Sequence, residues 1–212
     1  YYQQTGKNPI PPYMSLYLGS SYSDEEVLFS ANRFNFKISK VNKIDSAIDL
    51  IERGKVIGWF QGRSEFGPRG LGNRSILSLP TEQKYKDTVN EKVKKREPWR
   101  PFCPTIIEEK SNEFLKNPTY APYMILGFEM KNPELYTAVS HIDGTCRPQI
   151  LRKEVNPDFY QVVKGLNGIV LNTSFNLAGD PIVETPYDAL MTLKNSEMDA
   201  LLINDFLIEK CV

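Results

Sequence analysis

Four glycines and three arginines fall between Gly62 and Ser75, in the order Gly62-Arg63-Ser64-Glu65-Phe66-Gly67-Pro68-Arg69-Gly70-Leu71-Gly72-Asn73-Arg74-Ser75. Glycine lets backbone amides come close to an anion, and a guanidinium fork matches the oxygens of phosphate or carboxylate two at a time. The stretch therefore reads as a phosphate cradle with Arg63, Arg69 and Arg74 as its cations. It has neither the GxxxxGK[ST] nor the GxGxxG spacing. A glycine-rich solvated loop, its arginines paired with Glu65 and other acids, stays open as the alternative.

Three further stretches carry groups of the same kind. Lys94-Lys95-Arg96-Glu97-Pro98-Trp99-Arg100-Pro101-Phe102 leaves a predicted helix at its C-terminal end. Complementing the helix dipole, worth about 0.3 to 1 kcal/mol per cation, accounts for the two lysines. It does not account for Arg96 and Arg100, which stand among prolines where stiff backbone can aim a guanidinium. His141-Ile142-Asp143-Gly144-Thr145-Cys146-Arg147 joins a turn signal to an imidazole and another arginine. A plain turn with a solvated or hydrogen-bonded His141 is the simpler account. Leu171-Asn172-Thr173-Ser174-Phe175-Asn176 sets small amide and hydroxyl groups just past an apolar run, where they suit phosphate, ribose or carbamoyl contacts. Local turn chemistry is the alternative there. Glu184 reads as a metal or ribose ligand or as a solvated loop carboxylate.

Bulk composition narrows the classes. The 212 residues are 41% hydrophobic and 25% charged, enough for one sizeable core. Lysine plus arginine balance aspartate plus glutamate at 26 each, so no global field draws the chain to nucleic acid or an anionic membrane. An anion site has to be local. A single histidine excludes any site built on two, and three widely spaced cysteines give neither a disulfide framework nor a zinc ribbon. No apolar run approaches the length of a membrane span and no signal-peptide pattern opens the chain, so a cytoplasmic location is expected.

The elements that must position these groups alternate. The opening segment to about Leu18 reads as a linker or cut end, and Ser23 with Glu26 forms a capping box for a short helix to Asn32, expected to lie outside the core. A helix from Asp45 to Gly54 leads to a strand at 56–60, which runs directly into the arginine loop; 75–79 is again strand. A charged helix over 81–95 shows Tyr85, Val89 and Val93 on one face. Strand is expected at 102–107, 124–130, 168–172 and 200–203, helix at 111–115, 157–166 and 187–193, and a hairpin at Asp143-Gly144. The pattern predicts a mixed α/β sheet.

Taken together, GRSEFGPRGLGNRS, KKREPWRPFCP, HIDGTCRPQ and LNTSFN resemble, in that order, the C-terminal region of the O-carbamoyltransferase family of nodulation, cephamycin and tobramycin carbamoyltransferases. The similarity runs from about Leu16 to Glu209. Gly70, where the family's pattern has alanine, and Cys146, where it has a small residue, depart from it. The resemblance implies a YrdC-like α/β fold, a mixed twisted sheet flanked by helices, for residues 41–212. It makes residues 1–40 a connector from an N-terminal kinase-like domain. It further implies that ATP, carried with Mg2+, and carbamoyl phosphate meet here to give carbamoyl adenylate. That intermediate would pass to the N-terminal domain, whose own metal serves transfer to a hydroxyl of a sugar or antibiotic.

YrdC-like relatives carry Lys-x-Arg and Ser-x-Asn signatures, matched by Lys94-x-Arg96 and Ser174-x-Asn176. On this resemblance the catalytic positions are Arg74, Lys94, Arg96 and His141, the last only polarising or orienting. Arg63, Glu65, Arg69, Ser75, Arg100, Asp143, Arg147, Asn172, Thr173, Ser174 and Asn176 take substrate or nucleotide contacts, and no metal ligand is assigned within the chain. Small molecules and the chain's own N-terminal domain are the expected partners, without nucleic acid or membrane, and a homodimer is left open. The rivals are a non-catalytic nucleotide-binding or regulatory module and a threonylcarbamoyl-adenylate synthase for tRNA modification.

Overall fold

Ser23 opens the first helix of the computed structural model, which describes residues 15–211. Its hydroxyl accepts from Glu26 N while its own amide donates to the Glu26 carboxylate, and α1 (Asp24–Ala31) follows. Val27 and Ala31 are buried, so α1 covers core rather than lying outside it. One i, i+4 apolar pair beside the exposed Leu28 and Phe29 left that face faint in the sequence.

The chain continues through β1 (Phe36–Lys40), α2 (Lys43–Glu52), β2 (Ile57–Phe60) and β3 (Arg74–Ser78). Next come α3 (Gln83–Asp87), a π-helical continuation over Thr88–Lys94, β4 (Cys103–Ile107) and α4 (Ser111–Phe114). The remainder comprises β5 (Phe128–Glu129), β6 (Thr145–Cys146), β7 (Gln149–Leu151), α5 (Pro157–Gly165), β8 (Ile169–Ser174), α6 (Pro186–Asn195), β9 (Ala200–Ile203) and β10 (Phe206–Lys210).

Eight strands form one sheet in the order β1-β10-β9-β2-β3-β8-β4-β7, and β5 pairs with β6 apart from it. β2 with β9 and β4 with β7 run parallel and the other neighbours antiparallel, giving the mixed sheet expected. Alternate strand residues go to opposite faces. Trp59, Leu77, Val170 and Leu202 pack with Ala47 and Ile51 of α2 and Phe159, Val162 and Val163 of α5. Phe60, Ile76, Leu171 and Ile203 pack on the other face with Val27 of α1, Val89 and Val93, and Leu190 and Leu193 of α6. Among the described residues no helix is long and apolar enough to cross a membrane.

Three expectations need correction. Residues 24–40 of the expected connector are part of the fold, because α1 packs on the core and β1 forms the sheet edge in register with β10. The strand at 124–130 shrinks to β5, since Met124 takes a left-handed φ of 54° that breaks an extended run. At Asp143-Gly144 a tight turn does form, with Gly144 N donating to His141 O and His141 N to Thr145 O, but the strand that pairs with β6 is β5, not a strand leading into the turn. The strands β1, β7 and β10 were not foreseen, although Phe36-Lys37-Ile38-Ser39 does alternate.

Candidate functional site

The loop after β2, the start of β4 and the end of β8 meet at one end of the sheet, because antiparallel register sets Cys103 beside Asn172 and Ser75 beside Ser174. The loop itself is held from within. Glu65 Oε1 accepts from the amides of Leu71, Asn73 and Arg74 at 2.7, 2.7 and 3.2 Å, and burial raises this carboxyl despite those bonds. Gly72 has φ 107° and a Cβ there would lie 2.1 Å from the Phe159 ring, so this turn can only be glycine.

Between these segments lies a cavity of about 90 Å3, lined by Arg69, Gly70, Arg96, Cys103, Arg147 and Asn172 and closed by Pro68, Pro101, Phe102, Met124, Thr173 and Ser174. Three arginines from three separate stretches thus line one small space, and no carboxylate is among its walls. Each arginine has its own mount. The Arg96 guanidinium lies over the Phe102 ring at 4.7 Å and its Nε donates to Asn90 Oδ1 at 2.7 Å; Asn90 in turn ties down the carbonyls of Pro98 and Arg100. Arg147 reaches Cys103 Sγ with Nη2 at 3.6 Å and has a buried Nε with no partner among the described residues. Arg69 is half-buried on the loop.

Lys94 stands behind this wall. Its Nζ donates to Ser174 O at 2.7 Å, Ser174 Oγ at 3.2 Å and Asn176 Oδ1 at 2.8 Å, so the Lys-x-Arg and Ser-x-Asn pairs are bonded to one another. Burial, then the charges of Arg96 and Arg100, lower this amine to about 7. Burial and Arg100 likewise lower Arg96, to about 10. Arg100 itself is exposed and pairs with Glu97 at 3.5 Å.

Other expected site residues lie elsewhere or do other work. Arg74, expected at the phosphates, is fully buried. Its Nη1 and Nη2 donate to the carbonyls of Gln61, Gly62, Asn73 and Ser20, and its guanidinium lies 3.5 Å from the Phe60 ring centre. Arg63 donates to the carbonyls of Leu18 and Gly19. Both arginines therefore bind chain segment to chain segment. Ser75 Oγ accepts from Gly72 N within the loop, and Glu184 takes Ser64 Oγ at 2.8 Å as part of the same bracing. His141 lies in a separate open groove with Lys86 and Trp99, its Nδ1 3.0 Å from Thr145 Oγ1, and burial lowers its pKa. Asp143 accepts from the amide and hydroxyl of Thr145, a local turn. Cys103 and Gly70 belong to the cavity and were not assigned to the site, since a lone thiol and one glycine among four give no signal of a ligand contact.

Residues 48–210 match the family model described as "Carbamoyltransferase C-terminus". The chain belongs to this family. It is 39% identical over 204 residues to the nodulation protein NolNO of Sinorhizobium fredii, covering 91% of this chain and 30% of that protein. It is 30% identical over 166 residues to the 3'-hydroxymethylcephem-O-carbamoyltransferase of Amycolatopsis lactamdurans, covering 76% of this chain and 32% of that one. The chain spans about a third of the length of the curated relatives it matches. Among solved structures, full-length HypF in its phosphate- and nucleotide-bound form superimposes with TM-score 0.59 at 15% identity, over 82% of this chain and 23% of HypF. The shared fold is YrdC-like.

Proposed function

We propose that this chain is the carbamoyl-activating part of a carbamoyltransferase, binding carbamoyl phosphate and ATP and, with water, yielding carbamoyl adenylate, pyrophosphate and phosphate. The observation that carries the reading is the convergence of Arg69, Arg96 and Arg147 on one cavity free of carboxylates, with Lys94 directly behind. At about 90 Å3 the cavity is well below the roughly 300 Å3 at which drug-sized ligands begin, so it takes an anionic head group. The base and ribose of a nucleotide would lie outside it, near Arg100.

The guanidinium groups neutralise two mutually repelling anions and hold them in line, and positioning with electrostatic stabilisation does the catalytic work. The donor set suits phosphate oxygens rather than a metal, so magnesium would come on the phosphates of ATP. Water cleaves carbamoyl phosphate to carbamate and phosphate, a carbamate oxygen then attacks the α-phosphorus of ATP and pyrophosphate leaves, so the mechanism needs no protein nucleophile. In the longer protein the adenylate would pass to an N-terminal domain that carbamoylates a hydroxyl of a small molecule.

The test is exchange of labelled pyrophosphate into ATP. Exchange that depends on carbamoyl phosphate and disappears in Arg96→Ala supports the reading. A chain that binds nucleotide without exchange is a regulatory module instead, and exchange that requires threonine and bicarbonate makes it a threonylcarbamoyl-adenylate synthase.

A further inference from the structure

Along the outer side of α1 an acid, an aromatic ring and a base follow one another. Glu25, Phe29 and Arg33 stand at i, i+4 and i+8, so they fall on one stripe that runs to the C-terminal end of the helix. The basic end is held in place. The Arg33 guanidinium lies 5.3 Å from the Phe29 ring centre and 5.9 Å from that of Tyr187 on α6. Beside the stripe, between α1 and α6, runs an open groove of about 500 Å3 walled by Tyr22, Glu26, Phe29, Pro186 and Tyr187.

This face is neither covered nor neutralised from within. Phe29 is 65% exposed and Tyr187 42%. Among the described residues no carboxylate pairs with Arg33 and no cation pairs with Glu25, whereas the neighbouring Glu26 is occupied by the amide of Ser23. Exposed rings rimmed by unpaired charges mark a contact with another macromolecule.

The order of the charges selects the partner. A nucleic acid or an anionic lipid surface would set its own negative charge against Glu25 and Glu26, and a uniformly basic partner would meet Arg33. A stripe that reads acid, ring, base is instead complementary to itself when reversed. A two-fold axis through Phe29 sets α1 antiparallel to its copy, lays ring on ring, and brings Glu25 of each chain to Arg33 of the other.

We propose that this face joins two copies of the chain into a two-fold dimer through antiparallel pairing of α1. The groove shares no residue with the anion cavity, so the dimer stands or falls independently of the proposed reaction. Exposed ion pairs are individually weak; the rings therefore supply most of the affinity, and the charges fix the direction of pairing.

Sedimentation equilibrium of the chain over a concentration series tests this, with circular dichroism to confirm that each variant is folded. Glu25, Phe29 and Arg33 are all exposed, so their replacement leaves the core intact. The expected result is a monomer-dimer equilibrium that Phe29→Ser abolishes. Arg33→Glu and Glu25→Arg should each weaken it roughly tenfold, since the axis makes every contact twice. The combined Glu25→Arg/Arg33→Glu chain reads base, ring, acid, is again self-complementary, and should return to near the original affinity. Within one chain the two positions lie about 12 Å apart along the helix, so such rescue arises only between copies. A chain that stays monomeric at every concentration overturns the proposal, as does a dimer unmoved by Phe29→Ser or a combined variant no tighter than the single ones.

Discussion

Replacing Arg74 with alanine separates bracing from binding. Although the sequence places this arginine in the phosphate cradle, its Nη atoms serve four backbone carbonyls and its plane covers Phe60. The charges of Glu65 and of the exposed Glu184 favour its charged form, but burial has lowered it to about 10. A hydrogen bond from a charged donor contributes about 1.5 to 3 kcal/mol, so losing this set should cost roughly 3 to 5 kcal/mol, against a total domain stability of about 5 to 15 kcal/mol. For a chain of this size each kcal/mol moves Tm by about 2 to 4 °C, so the variant should melt roughly 6 to 20 °C lower. The assay is urea denaturation followed by circular dichroism, with sulfate affinity measured on the fraction that remains folded. The expected outcome is a lower midpoint at unchanged slope, with near-normal sulfate affinity per folded molecule. An unchanged midpoint combined with lost sulfate binding would refute the reasoning and return Arg74 to the ligand.

Lys94 gives a pH test. Its folded-state value of about 7 lies below the ordinary lysine value, so between about 7 and 10.5 the unfolded chain holds a proton that the folded one lacks. Stability should therefore rise with pH across that window and be flat below it, and Lys94→Met should remove the rise; a variant with the same slope would show that Lys94 is not its source. Sulfate keeps its charge over the same range, so its affinity should fall as pH rises through about 7, measured by calorimetry at fixed ionic strength. Gly72→Ala combines a φ of 107° with a Cβ 2.1 Å from the Phe159 ring and should cost about 2 to 5 kcal/mol in urea denaturation. His141→Ala, in a groove apart from the cavity, should leave sulfate affinity within about twofold, the effect of an ordinary surface change.

The legible parts of this molecule were those with local causes. The Ser23 capping box, the strand at Ala200–Ile203 and the strand-loop-strand unit around the arginine loop each follow from neighbouring residues, and all three formed. β7, only three residues long, owes its pairing to β4 across more than forty residues of chain, and nothing local announces it. The site divides in the same way. Composition marked Arg69, Arg96, Arg147 and the Asn172–Ser174 run, and these meet. It marked Arg63 and Arg74 equally, because a guanidinium aimed at a ligand and one aimed at a carbonyl have the same letter.

Sequence alone determined the family, the alternation of elements and the demand for a local anion site in a chain of zero net charge. Only the tertiary structure decided which cations line the cavity, that His141 stands apart, and which end of Asn172 is hydrogen-bonded. The physical reason is that hydrogen-bond direction and burial arise from segments far apart in the chain. Leu71, Gln149, Thr105 and Asn172 orient one another only once four distant stretches have packed.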